Sequence, residues 1–212
     1  MAGSPPQQTE RQSLCDALIR VGPDAPTLCK GWTTKDLAVH LVIRERHLLA
    51  APGILLGGPF AGLLRETTSR VGRRPFDTLV TTIRQGPPLW MRPLDRVVNL
   101  LEYFVHHEDV RRAGGDTTPR PAAETHQLDE GLWHLLHRTA RLAVRSLGPI
   151  GLTLQQPDGS TITARPGTPA ATIAGAPGEI TLYIMGRKDA AHVDLTGPPE
   201  AVDAVRTASF GF

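Results

Sequence analysis

Between Glu10 and Val21 the apolar positions Leu14, Ala17, Leu18 and Val21 recur at helical spacing, and Gly22-Pro23 ends the run. Thr33-Thr34-Lys35-Asp36 then reads as a capping box with Asp in place of Glu, so a second helix is expected from about Thr33 to about Ala50. Trp32, just ahead of the cap, is placed to staple onto its first turns. Residues 51–74 form a long, apolar, Gly/Pro-rich connection, and two readings stand: a lid or binding loop, or a cover over the end of a helix bundle. Further helices are expected over Phe76–Arg84, Leu94–Ala113 and Glu124–Leu147, punctuated by Gly86-Pro87-Pro88 and Gly114-Gly115.

After Gly148-Pro149 the pattern changes. Ile150–Gln155, Thr161–Arg165 and Ala170–Ala174 are short Thr/Ile-rich runs of strand character, the first two joined through the turn signal Pro157-Asp158-Gly159. Ile180–Met185 is an apolar segment for which helix is favoured over strand. Val193–Leu195 reads as a strand and Pro199–Thr207 as a last helix. The expected class is α+β, with a helical bundle over 1–148 and a small α+β domain over 149–212.

Composition narrows the function classes. The 23 Lys and Arg residues against 21 Asp and Glu leave a net charge of +2, too small an excess to call for a nucleic-acid or membrane partner. Only Lys30, Lys35 and Lys188 among the 23 are lysines, a bias that fits a GC-rich genome. Cys15 and Cys29 lack the number and spacing of a disulfide framework or a CxxC site and read as reduced thiols. The polar, Pro-rich start, Met1–Gln12, lacks the apolar core of a signal peptide, and the uncharged stretch 48–64 is broken by Pro and Gly, so a cytoplasmic protein is expected.

Candidate chemistry lies in two helices. Asp95, Asn99, Glu102, His106 and Asp109 are spaced 4, 3, 4, 3 and share one ridge beside the apolar seam of Leu94, Val98, Leu101 and Val105. Glu102 and His106, four apart, can direct a carboxylate oxygen and an imidazole nitrogen to one point; His107 is turned about 100° away. His40 shares a face with Leu37, Leu41 and Leu48. Two such helices side by side would supply a His, Glu, His set, the arrangement of a catalytic divalent ion with open positions. The same residues also suit a surface acid–base pair and a satisfied core histidine, and spacing alone does not choose. The basic ridge His134, Arg138, Arg141 and Arg145 has no interleaved aromatics and reads as a solvated face. No GxSxG, P-loop or dinucleotide fingerprint occurs.

The stretch Cys29-Lys-Gly-Trp-Thr-Thr-Lys-Asp-Leu-Ala-Val-His-Leu41, followed by Leu101-Glu-Tyr-Phe-Val-His-His-Glu-Asp-Val110, resembles the DinB-like metal-binding domain of the mycothiol-dependent maleylpyruvate isomerase family. The likeness is especially close to an actinobacterial branch with His-His-Glu-Asp-Val-Arg-Arg after the site glutamate. The region from Glu179 through Gly186-Arg187 to Asp194-Leu-Thr-Gly-Pro-Pro-Glu200 resembles the small sterol-carrier-like domain of that family. The resemblance implies a four-helix bundle in which His40, Glu102 and His106 hold a divalent metal, commonly zinc, with mycothiol as cosubstrate. It further implies that Arg187 holds a substrate carboxylate, and that the partners are a small-molecule thiol and an electrophile handled by a monomer or homodimer. The function expected is thiol-mediated isomerisation or S-transfer; the alternative is a non-catalytic metal-binding or ligand-sequestering protein.

Overall fold

A computed structural model describes residues 5–47, 61–88 and 92–211. The chain divides into two compact units, Met1–Asp116 and Thr117–Phe212.

The first unit is helical: α1 (Pro6–Val21), α2 (Thr34–Arg46), α3 (Ala61–Gly72), α4 (Phe76–Gln85) and α5 (Arg92–Arg111). α1 starts earlier than the periodicity implies, because Pro6 occupies the first turn, where its missing N–H costs nothing. The turn it adds is polar in composition yet carries buried Gln7. α2 begins with the expected capping box: the Asp36 N–H donates to Thr33 Oγ1 at 3.2 Å and the Thr33 N–H to Asp36 Oδ2 at 2.9 Å. It ends at Arg46; residues 48–50, which the sequence places in it, lie outside the described residues.

The connection expected over 51–74 is corrected in its second half, where α3 runs from Ala61 to Gly72; its first half, 51–60, lies outside the described residues. Thr67 and Val71 are the buried positions of α3, one turn apart, and the polar run Arg65-Glu66-Thr67-Thr68-Ser69 hides that period from a hydrophobicity reading.

The core of this unit joins Leu14, Cys15 and Leu18 of α1 with Leu37, Leu41 and Ile43 of α2. Val71, then Leu79 and Ile83 of α4, and Tyr103 of α5 complete it. Each fully buried Leu or Ile contributes about 1.5–3 kcal/mol relative to exposure.

The second unit holds α6 (Ala122–Ala143), β1 (Gly151–Gln155), β2 (Thr161–Arg165), β3 (Ala170–Ala174), α7 (Pro177–Ile184), β4 (Asp194–Thr196) and α8 (Pro199–Thr207). The strands form one sheet in the order β2-β1-β3-β4, with β1 parallel to β3 and the outer pairs antiparallel. Alternation places Leu152, Leu154, Ile162, Ala164, Ala171 and Ile173 in a common core. Trp133, Leu136 and Ala140 of α6, with Ile180 and Ile184 of α7, fill the same core. The helix read from the sequence as closing the bundle therefore belongs with the sheet, and the division falls at 116/117, ahead of Gly148. Periodicity shows that α6 has an apolar face; it carries no information about which partner buries it.

Within the described residues no helix is long and apolar enough to cross a membrane.

Candidate metal centre

Glu102 and His106 stand one turn apart on α5, and His40 reaches the same point from the second turn of α2. Glu102 Oε2 lies 3.4 Å from His106 Nε2 and 3.9 Å from His40 Nε2. One ligand atom from each of the three residues falls within 4.8 Å of the others. Four ligands at about 2.0–2.1 Å around a tetrahedral ion stand roughly 3.3 Å from one another, so this N, N, O set fits a divalent ion closing from two helices and leaves positions open. The imidazole rings of His40 and His106 meet edge to face with centroids 5.2 Å apart.

Behind His106 lies Asp109, fully buried, whose Oδ2 is 2.8 Å from His106 Nδ1. A carboxylate at this ring nitrogen orients the imidazole and turns Nε2 toward Glu102. Cys29 donates to the same Oδ2 at 3.2 Å. Cys29, His106 and Asp109 thus form a second group with metal-ligand chemistry. The 2.8 Å separation of its nitrogen and oxygen is a hydrogen bond, shorter than two ligands of one ion keep, so the group acts as support for His106.

The loop ahead of α2 is tied to this spot. The Leu28 N–H donates to the Asp109 carbonyl at 3.0 Å, and the Trp32 N–H to the Cys29 carbonyl at 2.9 Å. Gly31 takes a φ of 81°, which a side chain would strain. The Trp32 indole rests on the His40 ring, centroids 5.2 Å apart, so the anticipated staple closes onto a site residue.

Charge shapes the cluster. Arg44, one turn beyond His40, sets its Nε 3.4 Å from Glu102 Oε2 and hydrogen-bonds the Asn99 side chain through Nη1. Burial by itself would raise the Glu102 pKa, but hydrogen bonds from His106 and His40 and the Arg44 charge outweigh it and hold the carboxyl far below its ordinary value. For His106, burial opposes the charged form and is outweighed by hydrogen bonds to Asp109, Cys29 and Glu102, which lift its pKa well above the usual imidazole value. His40 is lowered, chiefly by burial.

Of the residues singled out in the sequence, His40, Glu102, His106, Asn99 and Asp109 are brought together. His107 is turned to α1, with Nδ1 3.1 Å from Glu10 Oε2. Arg187 belongs to the second unit, just after α7, and donates through Nη1 to the Met185 carbonyl at 2.6 Å, so part of its guanidinium fastens the helix end. Arg44 and Cys29 carried no functional signal in the sequence. Arg44 has one in retrospect, its i+4 spacing from His40; Cys29 meets Asp109 only through the fold, 80 positions along the chain.

No family model and no curated protein matches this sequence. Among solved structures, the chain is similar to the crystal structure of a mycothiol-dependent maleylpyruvate isomerase, with a TM-score of 0.58 over 90% of each chain at 16% identity. It is also similar to a histidine-to-alanine mutant described under the same enzyme name, with a TM-score of 0.50 at 16% identity and 90% coverage of each chain. The helical N-terminal part and the small α+β part that follows it thus share the fold of the mycothiol-dependent maleylpyruvate isomerase.

Proposed function

We propose that this protein is a divalent-metal enzyme that uses a low-molecular-weight thiol, mycothiol by the likeness in fold, to isomerise or S-conjugate a small electrophile. The observation that carries the reading is the convergence of His40, Glu102 and His106 from two helices, with Asp109 fixing the ring of the third. These three side chains hold the ion, zinc by donor type, since two imidazoles and one carboxylate suit it. An ion in this site supplies the positive charge that keeps a bound thiol deprotonated near neutral pH.

The chain's own residues do the rest. Asp109 keeps the proton on His106 Nδ1, so Nε2 stays available as a donor atom. Arg44, with Nε 3.4 Å from the same Oε2, holds the Glu102 carboxylate in place. Trp32 packs against the His40 ring and helps to position it.

The test is elemental analysis of the purified protein beside His106→Ala, followed by calorimetric titration of both with mycothiol. The expected result is one equivalent of metal and measurable thiol binding in the first and neither in the second. Metal without thiol binding would instead assign the protein to metal or ligand sequestration. Absence of metal above background in a folded wild-type protein would refute the metal reading.

A further inference from the structure

A cavity of about 490 Å³ opens beside His40. That volume is in the range of sites that take small organic molecules. Its lining is mainly apolar, with Trp32, Val39, Ile43 and Leu64, and also includes Thr68, Asp36 and Gly31. Trp32 is 38% exposed, which for an indole indicates apolar area that a ligand can cover.

Among the described residues, the lining of the cavity carries negative charge alone. Asp36 is its only charged lining side chain among the described residues, and the carboxylate is fixed there by the capping hydrogen bonds to Thr33. The nearby cation, Arg44, sets Nε toward Glu102 and Nη1 toward Asn99 and is not part of the lining. A carboxylate entering this space would lose its water shell and meet a like charge, with no cation in the lining among the described residues. A neutral planar or aliphatic body would instead stack on Trp32 and pack on Ile43 and Leu64.

We infer that the cavity receives the uncharged apolar body of the electrophile, so the protein acts on neutral, apolar substrates and discriminates against dicarboxylates. The inference rests on the metal reading above only for the consequence that a molecule in the cavity lies beside the ion, since His40 forms its wall. On this reading the carboxylate-holding role implied for Arg187 falls away.

The experiment is isothermal titration of the full chain with 1-naphthol, a neutral fused-ring probe, and with maleate, a dicarboxylate, alongside metal analysis of every sample. The expected result is saturable naphthol binding and no maleate binding over the same range. Trp32→Ala, at an exposed rim position, and Leu64→Arg are each expected to weaken naphthol by roughly tenfold or more, the scale of losing one well-packed apolar contact. Glu102→Gln removes a proposed ligand of the ion without touching the lining, and is expected to leave naphthol affinity within about twofold while lowering metal content. Maleate binding tighter than naphthol, or naphthol affinity indifferent to both Trp32→Ala and Leu64→Arg, overturns the inference. Naphthol binding by a protein that holds no metal would support the cavity and refute the metal reading, so the two fail separately.

Discussion

Asp109 and His106, one helical turn apart, share a 2.8 Å hydrogen bond in which a fully buried carboxylate holds the far nitrogen of a ring whose near nitrogen faces Glu102. The partner that orients this imidazole therefore comes from its own helix.

From this pair we expect Asp109→Asn to weaken metal affinity by about 10- to 100-fold, the usual cost of removing such a supporting carboxylate. An amide can offer its oxygen to Nδ1–H but carries no charge to raise the basicity of Nε2. Competition against a chromogenic chelator measures the change; an affinity equal to that of the unaltered protein would show that Asp109 has only a packing role.

Thr33→Ala is expected to cost about 1 kcal/mol of stability, since it removes the acceptor for the Asp36 N–H at the start of α2. His40 sits beyond the first turn, where the helix is held by core packing of Leu37 and Leu41. Metal content should therefore persist in a protein whose urea midpoint has dropped, and a paired measurement of the two checks this.

Burial pushes the Cys15 thiol up from about 9 to about 12. At pH 8 about one thiol in ten thousand is then ionised, so iodoacetamide should modify half-buried Cys29 and spare Cys15 until the protein unfolds. The folded state holds this proton more tightly than the unfolded state does. The associated stability is fully present below about pH 9 and is lost as the pH rises through about 12, so a Cys15→Ala variant should show a flatter stability profile over that interval. Mass-spectrometric mapping of alkylated sites and alkaline denaturation test the two parts.

Ile173→Ala empties a fully buried position in the sheet core and should destabilise the second unit by about 2–5 kcal/mol. All three proposed ligands lie in the first unit. Metal stoichiometry at low temperature should therefore be unchanged, which elemental analysis of the variant determines.

Much of this architecture was readable from local signals. The capping box at Thr33, the three strands at 151–155, 161–165 and 170–174, and the Asn99, Glu102, His106 and Asp109 part of the α5 ridge each follow from periods or motifs contained in a few turns of chain. α3 escaped notice because its buried residues, Thr67 and Val71, include only one strong hydrophobe. The allocation of α6 escaped for a different reason: an apolar helical face such as Trp133, Leu136 and Ala140 is equally suited to a bundle or to a sheet, and the choice is made by residues far along the chain. Within the site, Glu102 and His106 were visible as a pair. The tie from Cys29 to Asp109 has no local signature at all.

That tie has a consequence for how the protein can vary. The segment bearing Trp32 is hung on Asp109 by the Leu28 N–H and the Cys29 thiol, and the same residue steadies His106. On the proposed metal reading, selectivity at the rim and affinity for the ion share one anchor point. On that reading, substitution of Leu64 or Thr68 would retune what enters while leaving the ion site alone, whereas substitution of Asp109 would alter both traits in a single step.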